Sequence, residues 1–173
     1  MKKAKILAQI ILAGCLLGYP AFLLSKNPTN MHHAIKCLAD NAYHEARGEG
    51  PAGMQAVIEV TLNRVQSGKY KPYICSVVYQ NKQFSWTNKP KNASRKPKNA
   101  SRKPKKAPRS SQNLWEVPEY QYSLRVAQKA LEGNLELMLD KDVIFYHNTK
   151  VHPIWNRKMQ FRGKIGNHLF YSN

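Results

Sequence analysis

The chain has 173 residues, with 28 Lys and Arg against 10 Asp and Glu, for a formal net charge of +18. That length suits one domain with appendages and a real core, not several domains. The charge points to an anionic partner, whether nucleic acid, phospholipid or an acidic wall polymer, and the few acids leave little choice for carboxylate chemistry.

Lys2, Lys3 and Lys5 precede an uncharged run from Ile6 to Ser25, which Lys26 closes. A positive segment followed by an apolar one stands apart from the globular fold. Residues 1–33 are therefore read as an N-terminal signal or membrane-anchor segment with a linker at 26–33, and residues 34–173 as the body. As a helix, about 20 residues would span about 30 Å, enough for a bilayer. Basic residues before the span favour a body outside the cytoplasm. The favoured reading is an uncleaved or slowly released anchor through residues 6–25. Lipidation at Cys15, within Leu12-Ala13-Gly14-Cys15, comes second, because the chain stays apolar to Leu24. Ordinary cleavage is the third. All three export the body, to the inner-membrane surface, the periplasm or the cell wall.

Export leaves Cys37 and Cys75 as the pair in the body, where a disulfide is permitted; two buried free thiols are the alternative. No cofactor is expected, and no metal, since neither His32-His33 nor His147 with His152 has a supporting cysteine or carboxylate cluster.

In the body, Ile35, Leu38, Ala39, Ala42 and Ala46 fall at helical spacing, and Gly48, Gly50, Pro51 and Gly53 break the run. Met54 to Val65 forms a second, largely buried helix ending at Ser67-Gly68, with Asn63-Arg64 expected to face solvent or else to hold a loop beside a site. Residues 70–80 read as a turn followed by a short helix or an extended piece.

Composition then changes. Lys89-Pro90-Lys91-Asn92-Ala93-Ser94-Arg95 repeats as residues 96–102, and a degraded third copy runs to Arg109. Proline in every copy and the lack of apolar heptad positions exclude a coiled coil. Residues 89–109 are expected to be a disordered basic insertion, either tethering the protein to an anionic wall or lipid surface or simply tolerated as a long loop. Pro118-Glu119 opens a helix that Gly133 ends. Val143–Asn148 and Ile165–Tyr171 read as two strands that could pair. The expected fold is α+β, mostly helical, with a small C-terminal β-hairpin.

No nucleophile elbow, Walker loop, dinucleotide glycine pattern or zinc helix occurs in the chain. Glu45 and Glu49 lie four apart in Tyr43-His44-Glu45-Ala46-Arg47-Gly48-Glu49, where they could share a helix face or flank its end. Taken alone, that block reads as a solvated helix end. Asp40 and Glu59 sit on helices, and the other six acids follow the repeat in polar surroundings. The aromatics Trp86, Tyr146, Trp155 and Tyr171 cluster at element ends, where they serve either as sugar platforms or as core. An exported, aromatic-lined body with one well-placed glutamate favours glycoside chemistry in which that residue is acid, then base.

The ordered blocks 42–49, Gln55-Ala56-Val57, Leu62-Asn63-Arg64-Val65, 74–80, Gln83-Phe84-Ser85-Trp86, Phe145-Tyr146-His147-Asn148 and 165–171 resemble the spore-cortex-lytic (SleB-like) cell wall hydrolases. The resemblance implies a lysozyme-like fold related to lytic transglycosylases. It also implies cleavage of peptidoglycan between N-acetylmuramic acid and N-acetylglucosamine, leaving a 1,6-anhydro end. Glu45 takes the catalytic role, with Glu49 in reserve, and Ser85, Trp86, Tyr146, His147 and Trp155 are expected to bind substrate. The heptads and the N-terminal segment depart from a spore-specific pattern and suggest a phage or bacterial wall lysin. Within enzymes, a muramidase or stem-peptide amidase is the closer rival. A membrane-attached nucleic-acid-binding protein is the rival from another class, weakened because export separates the body from nucleic acid; no nucleic-acid partner is expected.

Overall fold

The computed structural model describes residues 28–81, 83–87 and 113–173, with Pro28, Thr29 and Ser85 as backbone only. Its elements are helices α1 (Pro28–Ala46), α2 (Gly50–Gln66), α3 (Ile74–Val78) and α4 (Pro118–Leu131), and strands β1 (Val143–Asn148), β2 (Gln160–Ile165) and β3 (His168–Ser172), with single helical turns between them. The architecture is the α+β, mostly helical one that the apolar spacing predicts. The N-terminal apolar run, Cys15 and the heptads lie outside the described residues, and no described helix is long and apolar enough to cross a membrane.

Helix α1 begins at Pro28, so the linker expected at 26–33 is largely helical. Leu38, Ala39, Ala42 and Ala46 point into the main core, where they meet Met54, Ile58 and Leu62 of α2, Val77 and Val78 of α3, and Tyr120 and Ala127 of α4. A disulfide joins Cys37 to Cys75 with Cα atoms 5.4 Å apart, and so fixes α3 to α1.

Helix α2 is buried almost all round, as its nearly continuous apolar sequence requires. One side faces the helices, and Ala56 and Val60 on the other meet Val143 and Phe170 of the sheet. Three polar residues in this buried helix hold the segment that leads into β1. Glu59, wholly inaccessible to solvent, accepts from Gln55 Nε2 and from the backbone N–H groups of Met138 and Leu139 at 2.7–3.2 Å. Asn63 Nδ2 donates to the carbonyls of Asp140 and Val143, and Arg64 Nε to that of Ile144. Residues 134–142 have no ladder of their own, so these side chains supply the partners their backbone needs. Asn63 and Arg64 are therefore buried, not solvent-facing.

The sheet has the order β1-β3-β2 and is antiparallel throughout. This corrects the expected two-stranded hairpin in two ways. Ile165 to His168 is itself a tight turn, with Gly166 at φ +56°, and it joins β3 to a strand the sequence pattern did not reveal. Strand β2 escapes notice because Arg162, Gly163 and Lys164 interrupt its apolar pattern; it is an exposed edge strand. The pairing of β1 with β3 does occur, with Tyr146 opposite Phe170 and Phe145 opposite Tyr171.

Candidate active site

The end of α1, the end of α2, the Gln83-Phe84 segment and the sheet enclose a cleft of about 180 Å³, lined by Glu45, Arg64, Gln83, Phe84, Tyr146, His147, Asn148 and His168. Glu45 is the one acid among them. It reaches the cleft because α1 buries Ala42 and Ala46 on either side of it, which fixes the face that residue 45 presents.

Tyr146, on β1, donates its hydroxyl hydrogen to Glu45 Oε2 at 3.4 Å. Burial raises the Glu45 carboxyl above its ordinary range, while the Tyr146 hydroxyl and the charge of Arg64 pull it partway back. The phenol of Tyr146 is in turn pushed well above its usual range by burial and by Glu45, so it remains a donor. The raised carboxyl has a thermodynamic consequence. Over the window between the ordinary glutamate value and the raised one, the native state holds a proton that the unfolded chain releases. Stability therefore falls as pH rises through that window. Glu45→Gln is expected to melt at a higher temperature than the native protein at pH 7, with the advantage gone at pH 4. Thermal denaturation at the two pH values measures it.

Arg64 crosses beneath the site with its Cζ 5.3 Å from the Tyr70 ring centroid and 5.8 Å from those of Phe84 and Tyr146. His147 stacks on Tyr171; its Nδ1 lies 2.9 Å from the Asn148 carbonyl oxygen, so that nitrogen is the donor. In the neutral ring Nε2 then accepts from the Tyr171 hydroxyl at 3.1 Å. His168 packs edge-on against Tyr146, and burial lowers its pKa, which favours the neutral ring.

Glu49 is used differently from Glu45. Its carboxylate accepts from the backbone N–H of Asn167 at 2.6 Å and from Asn167 Nδ2 at 3.3 Å, which clamps the β2–β3 turn to the start of α2. Those hydrogen bonds hold its pKa below the usual range, and it does not line the cleft. Gly166 has a positive φ, and a Cβ there would press on the Glu49 carboxylate, so a side chain at this position would strain the turn and disturb the clamp.

Of the residues expected to bind substrate, Tyr146 and His147 line the cleft. Trp86 does not; it stacks on His44 with ring centroids 4.5 Å apart and packs against the core. Trp155 is also outside the lining, enclosed by Phe145, His147 and Tyr171. The side chain of Ser85 lies outside the described residues. Sequence reasoning did not single out Arg64, Gln83, Phe84, Asn148 or His168 as lining residues, although all five fall in the ordered blocks. For Arg64 a signal was present: a cation inside an apolar helix needs a partner or a site.

The family model for cell wall hydrolases matches residues 48–171. The chain belongs to that family. No curated protein and no solved structure matches it. As a cell wall hydrolase of the spore-cortex-lytic type, it has peptidoglycan as its substrate class. The matched span starts just after Glu45 and contains the sheet, Arg64 and the rest of the cleft lining. Glu45 is placed by geometry: it is the carboxylate that α1 delivers to the cleft of this cell wall hydrolase.

Proposed function

We propose that the protein cuts the glycan strand of peptidoglycan between N-acetylmuramic acid and N-acetylglucosamine as a lytic transglycosylase, with Glu45 as acid and then base. The observation that carries this reading is a single, partly buried carboxyl at the cleft, held by a tyrosine hydroxyl, with no second acid among the described lining residues. A two-carboxylate glycosidase keeps its partner carboxyl within about 5–9.5 Å to act as nucleophile or to activate water. With one carboxyl, the nucleophile comes most simply from the substrate. Protonated Glu45 gives its proton to the glycosidic oxygen, the C–O bond breaks and its electron pair stays with that oxygen. The Glu45 carboxylate then takes the proton of the muramic C6 hydroxyl as that oxygen closes on the anomeric carbon. The ancestry implied for the helical body, lysozyme-like and related to lytic transglycosylases, belongs to the same proposal.

A reducing-end assay on purified glycan strands tests it. Strand shortening without new reducing ends is the expected result. One new reducing end per cut would make the enzyme a muramidase, and intact strands with released stem peptides would make it an amidase.

In this reading the N-terminal segment exports and anchors the enzyme, which acts as a phage or bacterial wall lysin. The heptads at 89–109 carry ten Lys and Arg and no acid, enough to hold a polyanionic wall or lipid surface. Deleting them is expected to weaken binding to purified peptidoglycan at low salt and to change little at high salt, read by co-sedimentation. Equal low-salt binding by the deletion variant would remove the tethering role.

A further inference from the structure

Arg64 is a buried cation, 4% exposed, in the wall of a cleft that holds one carboxyl. Its Nε is used by the Ile144 carbonyl, and Nη1 has no hydrogen-bond partner among the described residues. None of the ion pairs among those residues involves it. Three aromatic rings lie against the guanidinium, with Cζ 5.3–5.8 Å from their centroids. Burying a charge without a counter-ion is costly, so an arrangement of this kind has a use for the charge. The groups facing Glu45 are few: the Tyr146 hydroxyl from β1 and Arg64 from α2, with His147 and His168 of the sheet across the cleft and Arg47 turned onto the Tyr43 ring. Arg64 also lies over the Tyr146 ring whose hydroxyl holds Glu45, so charge and hydrogen bond reach the same carboxyl from adjoining elements.

We propose that Arg64 is a positioning residue for Glu45: its unpaired charge is the counter-charge that receives the carboxylate once Glu45 has given up its proton. The inference rests on Glu45 being the acid. While Glu45 is protonated, the cation has no ionic partner. When the proton passes to the glycosidic oxygen, the charge on Glu45 appears within the field of Arg64, in surroundings where such an interaction is much stronger than in water. Loss of the Arg64 charge would have two opposite effects. The carboxylate becomes harder to form, which slows proton donation to the glycosidic oxygen. The carboxyl also keeps its proton to higher pH, which extends the alkaline side of the activity profile.

The test compares Arg64→Met, Arg64→Gln and Arg64→Lys in the full chain. Gln retains a donor for the Ile144 carbonyl without the charge, and Lys retains the charge without the planar fork. Peptidoglycan turnover is measured across pH, and the Glu45 side-chain carboxyl is titrated by 13C NMR without substrate. Met and Gln are expected to lower the maximal rate at least tenfold and to move both the alkaline limb and the carboxyl titration to higher pH; Lys should restore both. A purely structural lesion would lower activity at every pH and leave the titration in place, and that result, or a shift to lower pH, overturns the proposal. If Met does not fold, Gln and Lys carry the comparison. The titration reads the coupling of the two side chains without reference to catalysis, so its failure is distinct from Glu45 proving not to be the acid.

Discussion

Glu45→Gln is expected to slow glycan-strand cleavage by about 10²- to 10⁴-fold while leaving the fold intact, because the amide keeps the shape of the carboxyl but can neither donate nor accept the reaction's proton. The effect is large because no described residue is placed to substitute. Glu49 is clamped by Asn167, Glu59 is sealed in α2 against Met138 and Leu139, and Asp40 is occupied by Lys36, Tyr79 and Tyr120. The remaining acids are exposed, on the far side of the repeat in sequence. The pH profile follows from the same carboxyl. In the proposed mechanism Glu45 enters the reaction protonated, so activity is expected to decline as pH rises through its raised value, later than it would for a solvated glutamate. Initial rates of sacculus clearance, compared for the native protein and the variant with matching far-UV circular dichroism spectra, measure the difference. A variant within threefold of the native rate would remove Glu45 from the mechanism.

Loss of the Cys37–Cys75 disulfide is expected to cost about 4 kcal/mol, the chain-entropy value for a closed loop of this size, since the cysteines are 38 positions apart. In a domain of this length that corresponds to a drop in melting temperature on the order of 10 °C. The consequence is local as well as global. Helix α3 has five residues, too few to be stable alone, and it depends on its core contacts and on the crosslink to α1. The Gln83-Phe84 wall of the cleft follows directly after α3, so Cys37→Ala/Cys75→Ala is expected to lose activity at temperatures where most of the fold persists. Parallel melting curves and activity-against-temperature curves test this. Coincident curves for both proteins would show that the crosslink adds nothing.

How much of this was legible depended on which physical signal each element carries. Helices α1 and α4 were readable because one face of each is buried: the spacing of Leu38, Ala42 and Ala46, or of Val126, Ala127 and Ala130, follows from a core on one side, while α2 was readable from its nearly continuous apolar run. Strand β2 was not, because an edge strand open to solvent is free to carry Arg162 and Lys164, and the turn at Gly166-Asn167 lay inside what looked like one strand. The roles of the acids were only half legible. Spacing placed Glu45 and Glu49 together, yet each takes its partner from a different part of the C-terminal sheet, Tyr146 for one and Asn167 for the other. Burial raises Glu45, whereas hydrogen bonds from Asn167, more than a hundred positions away, hold Glu49 charged. Glu59 and Asn63 show the same limit: a polar residue in an apolar helix announces a partner, but the partner at 138–143 is set by tertiary structure alone. Trp86 and Trp155, at element ends, read equally as sugar platforms or as core; neither lines the cleft, and their half-buried rings pack against His44 and against Phe145, His147 and Tyr171.

The most direct test of the central claim is mass spectrometry of purified peptidoglycan digested side by side with the native protein and with Glu45→Gln. The account predicts muropeptides ending in 1,6-anhydro-muramic acid from the native protein and none above background from the variant. Anhydro products at undiminished yield from the variant, or free stem peptides with uncut strands from the native protein, would contradict it.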